Sequence, residues 1–474
     1  MKFPEQYNQV LNPVYAFAKK RKKKLYLVGG ILRDLFIGRK KENLDFDFAL
    51  KRGAIGFGRA LAKELRAGFV VLDEEHGACR VVKKTGNGFY TLDFTDFRGS
   101  DLEKDLLHRD FTINAIAYDP DSDAIIDPYG GREDLKKKVI RAVNKGSFAE
   151  DPLRVLRAFS FATILSFKID GSTLRLAKTE RKNLTKVSFE RVRDELFKIF
   201  SQNNTYDCLL MLDELKILEV IFPEIKKMRG IGQGPYHHLD VWQHTLETVK
   251  QIETVFKDKL SSPDIKSYLY DNISGDRKRF ALIKFGAFIH DVGKPAALRR
   301  EGKKIIFHGH EHIGRRMSED IARRLKLSND EVAMLKRMVQ MHLRPGYLAD
   351  NQPPTERAKF RYFRDGGSEA VAVLLVSLAD QRATKGPLTT AASRVNHEKL
   401  VAAFLKDYFK KKKEKKAVRL IDGHILIKEL KLKPSPLIGK LLAELEELQA
   451  IGKIKTRDQA LKAAREFVKG LQKK

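Results

Sequence analysis

The stretch from Leu25 to Leu50 most constrains what this chain can fold into. An apolar run typical of a strand leads to Gly29-Gly30, a short helical pattern follows, and a second apolar run carries Asp45 and Asp47 on either side of Phe46. Because side chains alternate along a strand, the two carboxylates point to one face and Phe46 to the other. Two parallel carboxylates repel each other unless cations lie between them, so the pair is a candidate site for two Mg²⁺ ions.

The diglycine indicates what such ions would hold. Glycine lets backbone N–H groups at a helix N-terminus approach a triphosphate closely, and Arg33 and Lys40 add positive charge nearby. A tight strand-to-helix turn followed by an acidic strand is the plainer interpretation of either half. The two halves together, a strand, a diglycine, a helix and Asp-x-Asp, form a far more specific pattern.

The charge of the chain points to a polyanionic partner. With 474 residues, a net charge of +30 and a pI near 9.8, the chain is long enough for two to four domains and attracts RNA or DNA first. We find no apolar run long enough to span a membrane and no signal-peptide pattern in MKFPEQYNQV, and the two cysteines are Cys79 and Cys208. We therefore expect a protein of the reducing cytoplasm.

The arrangement of diglycine and Asp-x-Asp resembles the active-site core of the nucleotidyltransferase superfamily, in the version used by class II tRNA nucleotidyltransferases and bacterial poly(A) polymerases. The family pattern GGxxRD…DxD is matched by Gly29, Gly30, Arg33, Asp34, Asp45 and Asp47. The resemblance implies a nucleotidyltransferase head that binds a nucleotide through the diglycine and Arg33 and holds two Mg²⁺ ions on Asp45 and Asp47.

Asp93 is the next acidic residue in a strand-like run, Tyr90 to Thr95. Judged from the residues alone, it fits a solvated strand position equally well. By resemblance it falls where the family places its third catalytic carboxylate. The expected catalytic residues are therefore Asp45, Asp47 and Asp93.

The segment LEKDLLHRDFTINAIAYDP carries the next candidate residues. Asn114 lies one helical turn beyond Asp110, and alone the segment fits an ordinary capped helix. It resembles the family's RRDFTxNA motif, which implies nucleotide binding by Arg109, Asp110 and Asn114. The first Arg of that motif is His108 here, which departs from the pattern. The following segment 127–131, DPYGG, resembles the family's hinge between head and neck.

The neck begins with the segment 150–154, EDPLR. Asp151 before a proline fits an N-cap, and the i, i+3 spacing places Asp151 and Arg154 on one helix face. The segment resembles the family's EDxxR motif, a protein template for the incoming base, and Arg157 one turn further on is expected to stack or to bind phosphate. A carboxylate that accepts and a guanidinium that donates match cytosine and adenine but not uracil or guanine, so the pair selects CTP and ATP.

Histidines dominate the second half of the chain. Most of the 12 histidines fall in one third of it, with an adjacent His-Asp pair, and this concentration favours a metal site over satisfied single histidines. The segment resembles the HD phosphohydrolase domain, whose H…HD…H…H…D pattern is matched by His244, His290, Asp291, His310, His342 and Asp380. The resemblance implies a bound divalent metal. Hydrolysis of phosphoesters stays open, since HD domains of tRNA nucleotidyltransferases can be accessory.

The C-terminal part is basic. Residues Lys399 to Lys416 end in FKKKKEKK, which is usually a solvated helix face but can also touch RNA phosphates. The segment after it resembles the tail of HD-containing tRNA nucleotidyltransferases, with Pro434-Ser435-Pro436 in place of the usual Pro-Gly-Pro. This resemblance implies tRNA as the partner, and we expect no DNA partner.

The expected fold is α+β, a small nucleotidyltransferase head followed by all-α parts. The expected domains are a head at residues 1–145, a helical neck and body with the base-template helix at 146–228, an HD domain at 229–390 and a basic, tRNA-binding helical tail at 391–474.

The length of one connection bears on which nucleotides are added. Between a strand ending at Arg98 and a helix starting near Leu102 the chain has only Gly99-Ser100-Asp101. CCA-adding and A-adding relatives typically carry a longer flexible loop there, and its shortening is a trait of CC-adding enzymes. We therefore expect CC addition to tRNA from CTP. Full CCA addition or A addition, which also uses ATP, is the second interpretation, and poly(A) polymerase is the third.

Two interpretations from other classes remain open at this point. One is an HD-type phosphohydrolase with an RNA-binding front half. The other is a non-catalytic basic RNA-binding protein, which leaves both the carboxylates and the histidines unexplained.

Overall fold

The computed structural model describes residues 2–39, 44–86, 88–302, 304–350, 353–413 and 419–472. Lys40 and residues 414–418 of the basic run lie outside these residues. The chain forms two compact units, Met1–Gln202 with Met211–Ile221, and Asn203–Leu210 with Phe222–Lys474. The predicted α+β fold is confirmed, since a mixed sheet is followed by a mostly helical chain. The four domain boundaries stay a prediction.

Strands alternate with helices in the first part of the chain. Up to Ile221 the helices are α1 (Glu5–Lys20), α2 (Gly30–Phe36), α3 (Ala54–Leu65), α4 (Leu102–Leu107), α5 (Gly131–Lys137), α6 (Ser147–Glu150), α7 (Arg154–Leu165), α8 (Gly171–Glu180), α9 (Phe189–Phe200), α10 (Thr205–Glu214) and α11 (Leu218–Ile221). The strands are β1 (Tyr26–Val28), β2 (Leu44–Leu50), β3 (Gly68–Asp73), β4 (Ala78–Thr85), β5 (Gly88–Asp96), β6 (Ala117–Asp119), β7 (Ala124–Ile126), β8 (Val139–Ile140) and β9 (Lys168–Ile169).

Seven of these strands form the head sheet, in the order β3-β4-β5-β2-β1-β6-β7. β2 and β5 run parallel, and the other neighbours are antiparallel. Because β2 lies between β5 and β1, its carboxylates are at the centre of the sheet. The register aligns Asp47 with Asp93 on β5 and with Val28 on β1.

The alternation predicted for β2 is present. Phe46 and Phe48 are both 0% exposed, and the Phe46 ring packs edge-on against Tyr7 of α1 with ring centres 5.5 Å apart. Burying these aromatic rings fixes the orientation of the strand, because a one-residue slip would exchange its two faces. Asp45 and Asp47 therefore point away from the α1 side of the sheet.

The neck consists of α7 packed on α9. One face of each helix is apolar and buried, with Val155 and Phe159 on α7 and Leu196 on α9. This packing holds the start of α7 in place, and the predicted base-template residues lie at and just before that start.

Helices dominate the second part of the chain. After Ile221 they are α12 (Ile225–Met228), α13 (Val241–Lys259), α14 (Pro263–Tyr270), α15 (Arg279–Ile289), α16 (Lys294–Ala297), α17 (His310–Arg324), α18 (Asn329–Met341), α19 (Arg344–Asp350), α20 (Glu356–Gly366), α21 (Ala370–Ala383), α22 (Ala391–Lys413), α23 (Gly423–Leu430), α24 (Pro436–Ala450) and α25 (Arg457–Gln472). Two short hairpins pair β10 (Asn272–Ser274) with β11 (Arg277–Lys278) and β12 (Arg299–Glu301) with β13 (Lys304–Ile306).

The helices α13, α15, α18 and α21 pack on one another, and α17 packs on α18. The sequence sets where two of them begin, because Asp240 with Gln243 and Ser328 with Glu331 form capping boxes at the starts of α13 and α18. α21 is apolar on nearly all sides and is buried from Ala370 to Ala379, as expected of a central helix.

The tail helices α23 to α25 have an apolar cluster of their own, which includes Leu426, Leu441 and Leu445. Glu447 of α24 is buried and accepts hydrogen bonds from Arg357 and Arg361 of α20, the latter at 2.8 Å.

Among the described residues, no helix is both long and apolar enough to cross a lipid bilayer.

Candidate active site and metal centre

A cleft of about 720 Å³ in the first unit collects most of the predicted transferase residues. This volume is typical of a site for a small ligand. The predicted residues that line it are Gly29, Gly30, Arg33, Asp47, Asp93, Arg109, Asp110, Asn114, Asp151, Arg154 and Arg157. Asp45, on the same strand face as Asp47, is exposed.

Gly29 is the point at which the head motifs meet. Its φ of 79° and ψ of −140° disfavour any residue with a Cβ, and a Cβ there would lie 3.1 Å from Oδ2 of Asp47 and 3.2 Å from Nη1 of Arg109. The structure therefore brings together three residues that are far apart in the sequence. A glycine leaves room between a carboxylate and a guanidinium, where a phosphate with a bound cation could lie.

The predicted catalytic carboxylates have different partners. Asp45 accepts a hydrogen bond from the Thr91 hydroxyl at 2.5 Å. Asp93 accepts two from Arg80 of β4, at 2.8 Å from Nε and 2.7 Å from Nη2. Asp93 is thus next to Asp47 in the sheet but is held by an arginine.

A buried polar network connects the head to the neck. Arg33 donates to Asn114 at 2.7 Å, Asn114 donates to Asp110 at 2.9 Å, and Arg157 donates to the other oxygen of Asp110 at 2.6 Å. Burial alone would raise the pKa of Asp110, but the charge of Arg157 and the hydrogen bonds from Asn114 and Arg157 hold it below its usual value. The Arg33 and Arg157 guanidiniums both lie 5.0 Å from the centre of the Phe161 ring.

The predicted base-template pair lies at the start of α7 but not on one helix face. Asp151 has the extended backbone of an N-cap, and its Oδ1 accepts a hydrogen bond from the Leu153 N–H at 3.2 Å, as the cap prediction requires. The helix α7 itself begins at Arg154, so the two residues do not share a helix face. The residues Pro152 and Leu153 form a turn instead of the first helical turn. Both side chains still line the cleft.

The two predicted template residues are held by different partners. Asp151 accepts a hydrogen bond from Arg191 of α9 at 2.8 Å. Arg154 is buried, which lowers its pKa, and it donates to the carbonyl of His108 at 2.6 Å and to that of Ser147 at 3.0 Å. Arg154 therefore also fixes the RRDFTxNA-like segment to the neck.

The connection between β5 and α4 is short and firmly held. The Phe97 N–H donates to the Leu50 carbonyl at 2.9 Å, and the Arg98 N–H donates to Asp105 at 3.1 Å. Asp101 caps α4 by accepting from the Lys104 N–H at 2.9 Å. The strand ends at Asp96, two residues earlier than predicted, but no flexible loop is inserted there.

The six predicted HD residues converge at helix ends in the second unit. His290 and His342 directly follow α15 and α18, His310 begins α17, and His244 and Asp380 lie within α13 and α21. Their ligand atoms form two sets, each within 4.8 Å: His244, His290 and Asp380, and Asp291, His310 and His342. Asp291 links the sets, because its Oδ2 lies 3.1 Å from Nε2 of His290 and its Oδ1 3.4 Å from Nε2 of His310.

The hydrogen bonds of the three helix-end histidines orient them for metal binding. Nδ1 of His290, His310 and His342 lies 2.8, 2.9 and 2.7 Å from the carbonyls of Ala287, Phe307 and Val339. A carbonyl only accepts, so each Nδ1 carries a proton, and each Nε2 faces the centre, where it offers a lone pair to a metal once the ring is neutral.

The charges of the centre also suit a metal ion. Burial lowers the pKa of His342 to about 3, so this imidazole is neutral, which is the form that binds metals. Burial alone would raise the pKa of Asp291, but His290 and Lys294 hold it well below its usual range. Within the described part of the chain, Nε2 of His290 and Oδ1 of Asp291 are buried without a hydrogen-bond partner. Imidazole nitrogens and carboxylate oxygens in this state fit a divalent metal ion.

Sequence reasoning missed several residues of both sites. Lys294 lies 2.6 Å from Oδ2 of Asp291 and donates to Gln233 at 2.6 Å, and its position three residues after Asp291 was the available signal. Arg80 and Phe161 of the first unit carried no signal of their own, because their roles depend on pairings between distant residues.

Three family models match consecutive parts of the chain. The Poly A polymerase head domain matches residues 25–141, the "Probable RNA and SrmB- binding site of polymerase A" matches residues 166–228, and the HD domain matches residues 241–385. Nucleotidyltransferase and HD families generally use divalent metal ions.

Named relatives match the chain over nearly its whole length. An A-adding tRNA nucleotidyltransferase of Deinococcus radiodurans is 32% identical over 449 residues, which cover 92% of this chain and 93% of that protein. A CC-adding tRNA nucleotidyltransferase of Synechocystis is 29% identical over 444 residues, which cover 94% and 93%.

Solved structures have the same fold. A CCA-adding enzyme in complex with ATP matches with a TM-score of 0.67 at 20% identity, over 98% of this chain and 96% of that one. The Thermotoga maritima CCA-adding enzyme complexed with tRNA matches with a TM-score of 0.63 at 21% identity, over the same shares. The chain is therefore an enzyme of the tRNA nucleotidyltransferase family, whose members add CCA, CC or A, and it carries an HD domain.

Proposed function

We propose that this enzyme adds two CMP residues from CTP to the 3′ end of immature tRNA and then stops. The observation that carries transfer is the convergence of Asp47, Gly29 and Arg109 in one cleft. The observation that carries the stop at CC is the short, hydrogen-bonded connection from Phe97 to Asp101. The solved relatives in complex with tRNA, CTP and ATP support these ligands.

Asp45 and Asp47 would hold Mg²⁺ at the centre of the sheet. Their hard carboxylate oxygens on one exposed strand face suit this ion. Bound there, Mg²⁺ would polarise the α-phosphate of CTP and activate the tRNA 3′-hydroxyl that attacks it, with pyrophosphate leaving.

Arg109 and Gly29 would bind the triphosphate. Nη1 of Arg109 lies beside Gly29, and its Nη2 lies 3.7 Å from Oδ2 of Asp105. This contact keeps the side chain turned into the cleft. Arg33, Asp110, Asn114 and Arg157 support this arrangement mainly through one another. These four residues would therefore position the nucleotide by fixing the cleft wall.

Asp151 and Arg154 would select the base. A carboxylate acceptor and a guanidinium donor at one end of the cleft suit the edge of cytosine. Arg154 already donates to backbone carbonyls, so it has few N–H groups left, and the base would be read by those. This limits the pair to a narrow geometry, which favours one pyrimidine.

The short connection would keep the cleft in that geometry. Adding A after CC requires the same pocket to accept a purine, which needs movement of the surrounding chain. The hydrogen bonds that Phe97 and Arg98 donate and the one that Asp101 accepts oppose such movement. The A-adding relative makes full CCA or A addition the alternative.

The test uses tRNA transcripts that end at the discriminator base, after C and after CC, each incubated with Mg²⁺ and with CTP, ATP or both. We expect products to stop at CC and the transcript ending in CC to take no A. Addition of A to that transcript would contradict CC specificity but would leave nucleotidyl transfer intact.

A second function is favoured by the metal centre of the second unit. We propose that His244, His290, Asp291, His310, His342 and Asp380 bind divalent metal and that the centre hydrolyses phosphoesters. Asp291→Ala should remove the metal and any phosphodiesterase activity on 2′,3′-cyclic nucleotides, while Asp45→Ala should leave both. The basic tail would bind tRNA in either case.

A further inference from the structure

Three charged residues form a row across the head sheet. Arg80 on β4 lies directly opposite Asp93 on β5, and Asp93 lies directly opposite Asp47 on β2. Aligned residues on neighbouring strands point to the same face of a sheet. The row therefore places one cation and two anions side by side at the edge of the cleft.

Arg80 engages both oxygens of Asp93. The distances are 2.8 Å from Nε to Oδ1 and 2.7 Å from Nη2 to Oδ2, a paired geometry that is stronger and more directional than a single contact. Asp93 has 19% of its side chain exposed, so solvent screens the pair only in part. Asp45, in contrast, accepts a hydrogen bond from the neutral hydroxyl of Thr91.

This pairing changes what Asp93 can do. Carboxylates on neighbouring strands repel each other, and either a divalent ion or a fixed cation can offset that repulsion. Arg80 supplies a fixed cation and occupies the two oxygens that an ion would need. It also repels a divalent ion that approaches Asp93.

We propose that Arg80 is a positioning residue that withholds Asp93 from the metal, so that of the three carboxylates Asp45, Asp47 and Asp93 only Asp45 and Asp47 ligate Mg²⁺. The inference rests on the proposed function and replaces a third metal ligand with an ion pair. The positive charge of Arg80 keeps metal binding at Asp47 weak in the free enzyme. The ion then enters together with the triphosphate, which adds the missing oxygen ligands.

The charge-neutral double variant Arg80→Gln with Asp93→Asn gives the most direct test. It removes the pair without changing net charge. Mn²⁺ binding to the full-length protein is measured by electron paramagnetic resonance, and the component lost in Asp47→Asn identifies the transferase site and separates it from the HD centre. We expect the double variant to keep this component with an affinity for Mn²⁺ within about threefold of the wild type, since neither removed group is a ligand.

Single variants test the restraint itself. Arg80→Gln frees Asp93 and should tighten the transferase-site Mn²⁺ component roughly tenfold, because a nearby positive charge is lost and an anion is gained as a ligand. Arg80→Lys keeps the charge and should bind Mn²⁺ close to the wild-type affinity. Unfolding midpoints identify variants that fail to fold, and in that case the Arg80→Lys comparison decides.

Two results would overturn the inference. One is loss of the Mn²⁺ component in the double variant, which would make Asp93 a ligand. The other is unchanged or weaker Mn²⁺ binding in Arg80→Gln. If Asp47→Asn itself keeps both Mn²⁺ binding and transfer, the failure belongs to the proposed transferase site and not to the role of Arg80.

Discussion

The transferase cleft and the HD centre both collect carboxylates, but they satisfy them in opposite ways. In the cleft, Asp93 is held by Arg80, and Asp110 by Arg157 and Asn114. In the HD centre, Oδ1 of Asp291 and Nε2 of His290 are buried and have no hydrogen-bond partner among the described residues. The carboxylates of Asp93 and Asp110 are therefore balanced by protein groups, whereas the HD centre keeps buried ligand atoms that an ion would complete.

Because of this difference, we expect metal binding to affect stability at the HD centre and catalysis at the cleft. A buried polar atom without a partner costs free energy, and a bound ion returns it, so metal should stabilise the HD centre. The cleft is open to solvent, and Asp93 and Asp110 in it have protein partners, so its metal should matter for chemistry and little for folding.

The largest effect is expected for Asp47→Asn. Transfer of CMP should fall on the order of a thousandfold, because a ligand of the reacting metal is lost. The unfolding midpoint should stay close to that of the wild type. Single-turnover extension of a tRNA primer measures the rate of CMP transfer, and thermal unfolding measures the midpoint. Asp121→Asn, at an exposed aspartate outside the cleft, is the matched control. Retained transfer would contradict the assignment of Asp47.

Chelation should have the opposite signature at the HD centre. Removing divalent metal with EDTA should lower the unfolding midpoint, since a ligand at a hundred times its Kd stabilises by about 2.7 kcal/mol. Asp291→Asn should already be destabilised and should respond little to EDTA. Asp47→Asn should respond like the wild type. An EDTA shift that disappears in Asp47→Asn would place the stabilising metal in the cleft and break the contrast.

A smaller effect is expected at the base-reading end of the cleft. Asp151→Asn adds a donor where the carboxylate only accepts, so UTP should gain on CTP by roughly tenfold while tRNA binding is unchanged. Competition among the four nucleoside triphosphates measures this. Glu190→Gln is the matched control, because it removes a negative charge on α9 at a position outside the cleft. Equal losses for CTP and UTP would mean that Asp151 acts only through Arg191.

The sequence predicted the local parts of these sites well and their partners poorly. The alternation on β2 and the glycine turn at Gly29 follow from short-range rules, and the structure has both. The ion pair of Arg80 with Asp93 depends on the register of a hairpin, which no local pattern specifies. Asp151 accepts a hydrogen bond from the Leu153 N–H as a cap would, but the turn at Pro152 and Leu153 places the start of α7 at Arg154, and a helix boundary of this kind is not specified by the local pattern.

The sequence pointed to the six residues that converge in the HD centre but not to their surroundings. These six residues have recognisable types and spacing, whereas Gln233 reaches Lys294 only because a loop folds back toward α16. Contacts of this kind require the fold to be known.

The smallest predicted effect concerns acid stability of the first unit. The pKa of Asp110 is held below its usual value by Arg157 and Asn114 against the effect of burial. A group with a depressed folded pKa stabilises the protein above its unfolded pKa, which is about 3.9, and that stability is lost as the pH falls through the folded pKa. Wild-type unfolding midpoints should therefore fall between pH 5 and pH 3 more steeply than those of Asp110→Asn, which should be less stable at pH 7. Parallel slopes would mean that another carboxylate carries the acid sensitivity, and the cleft network would then be held by geometry more than by charge.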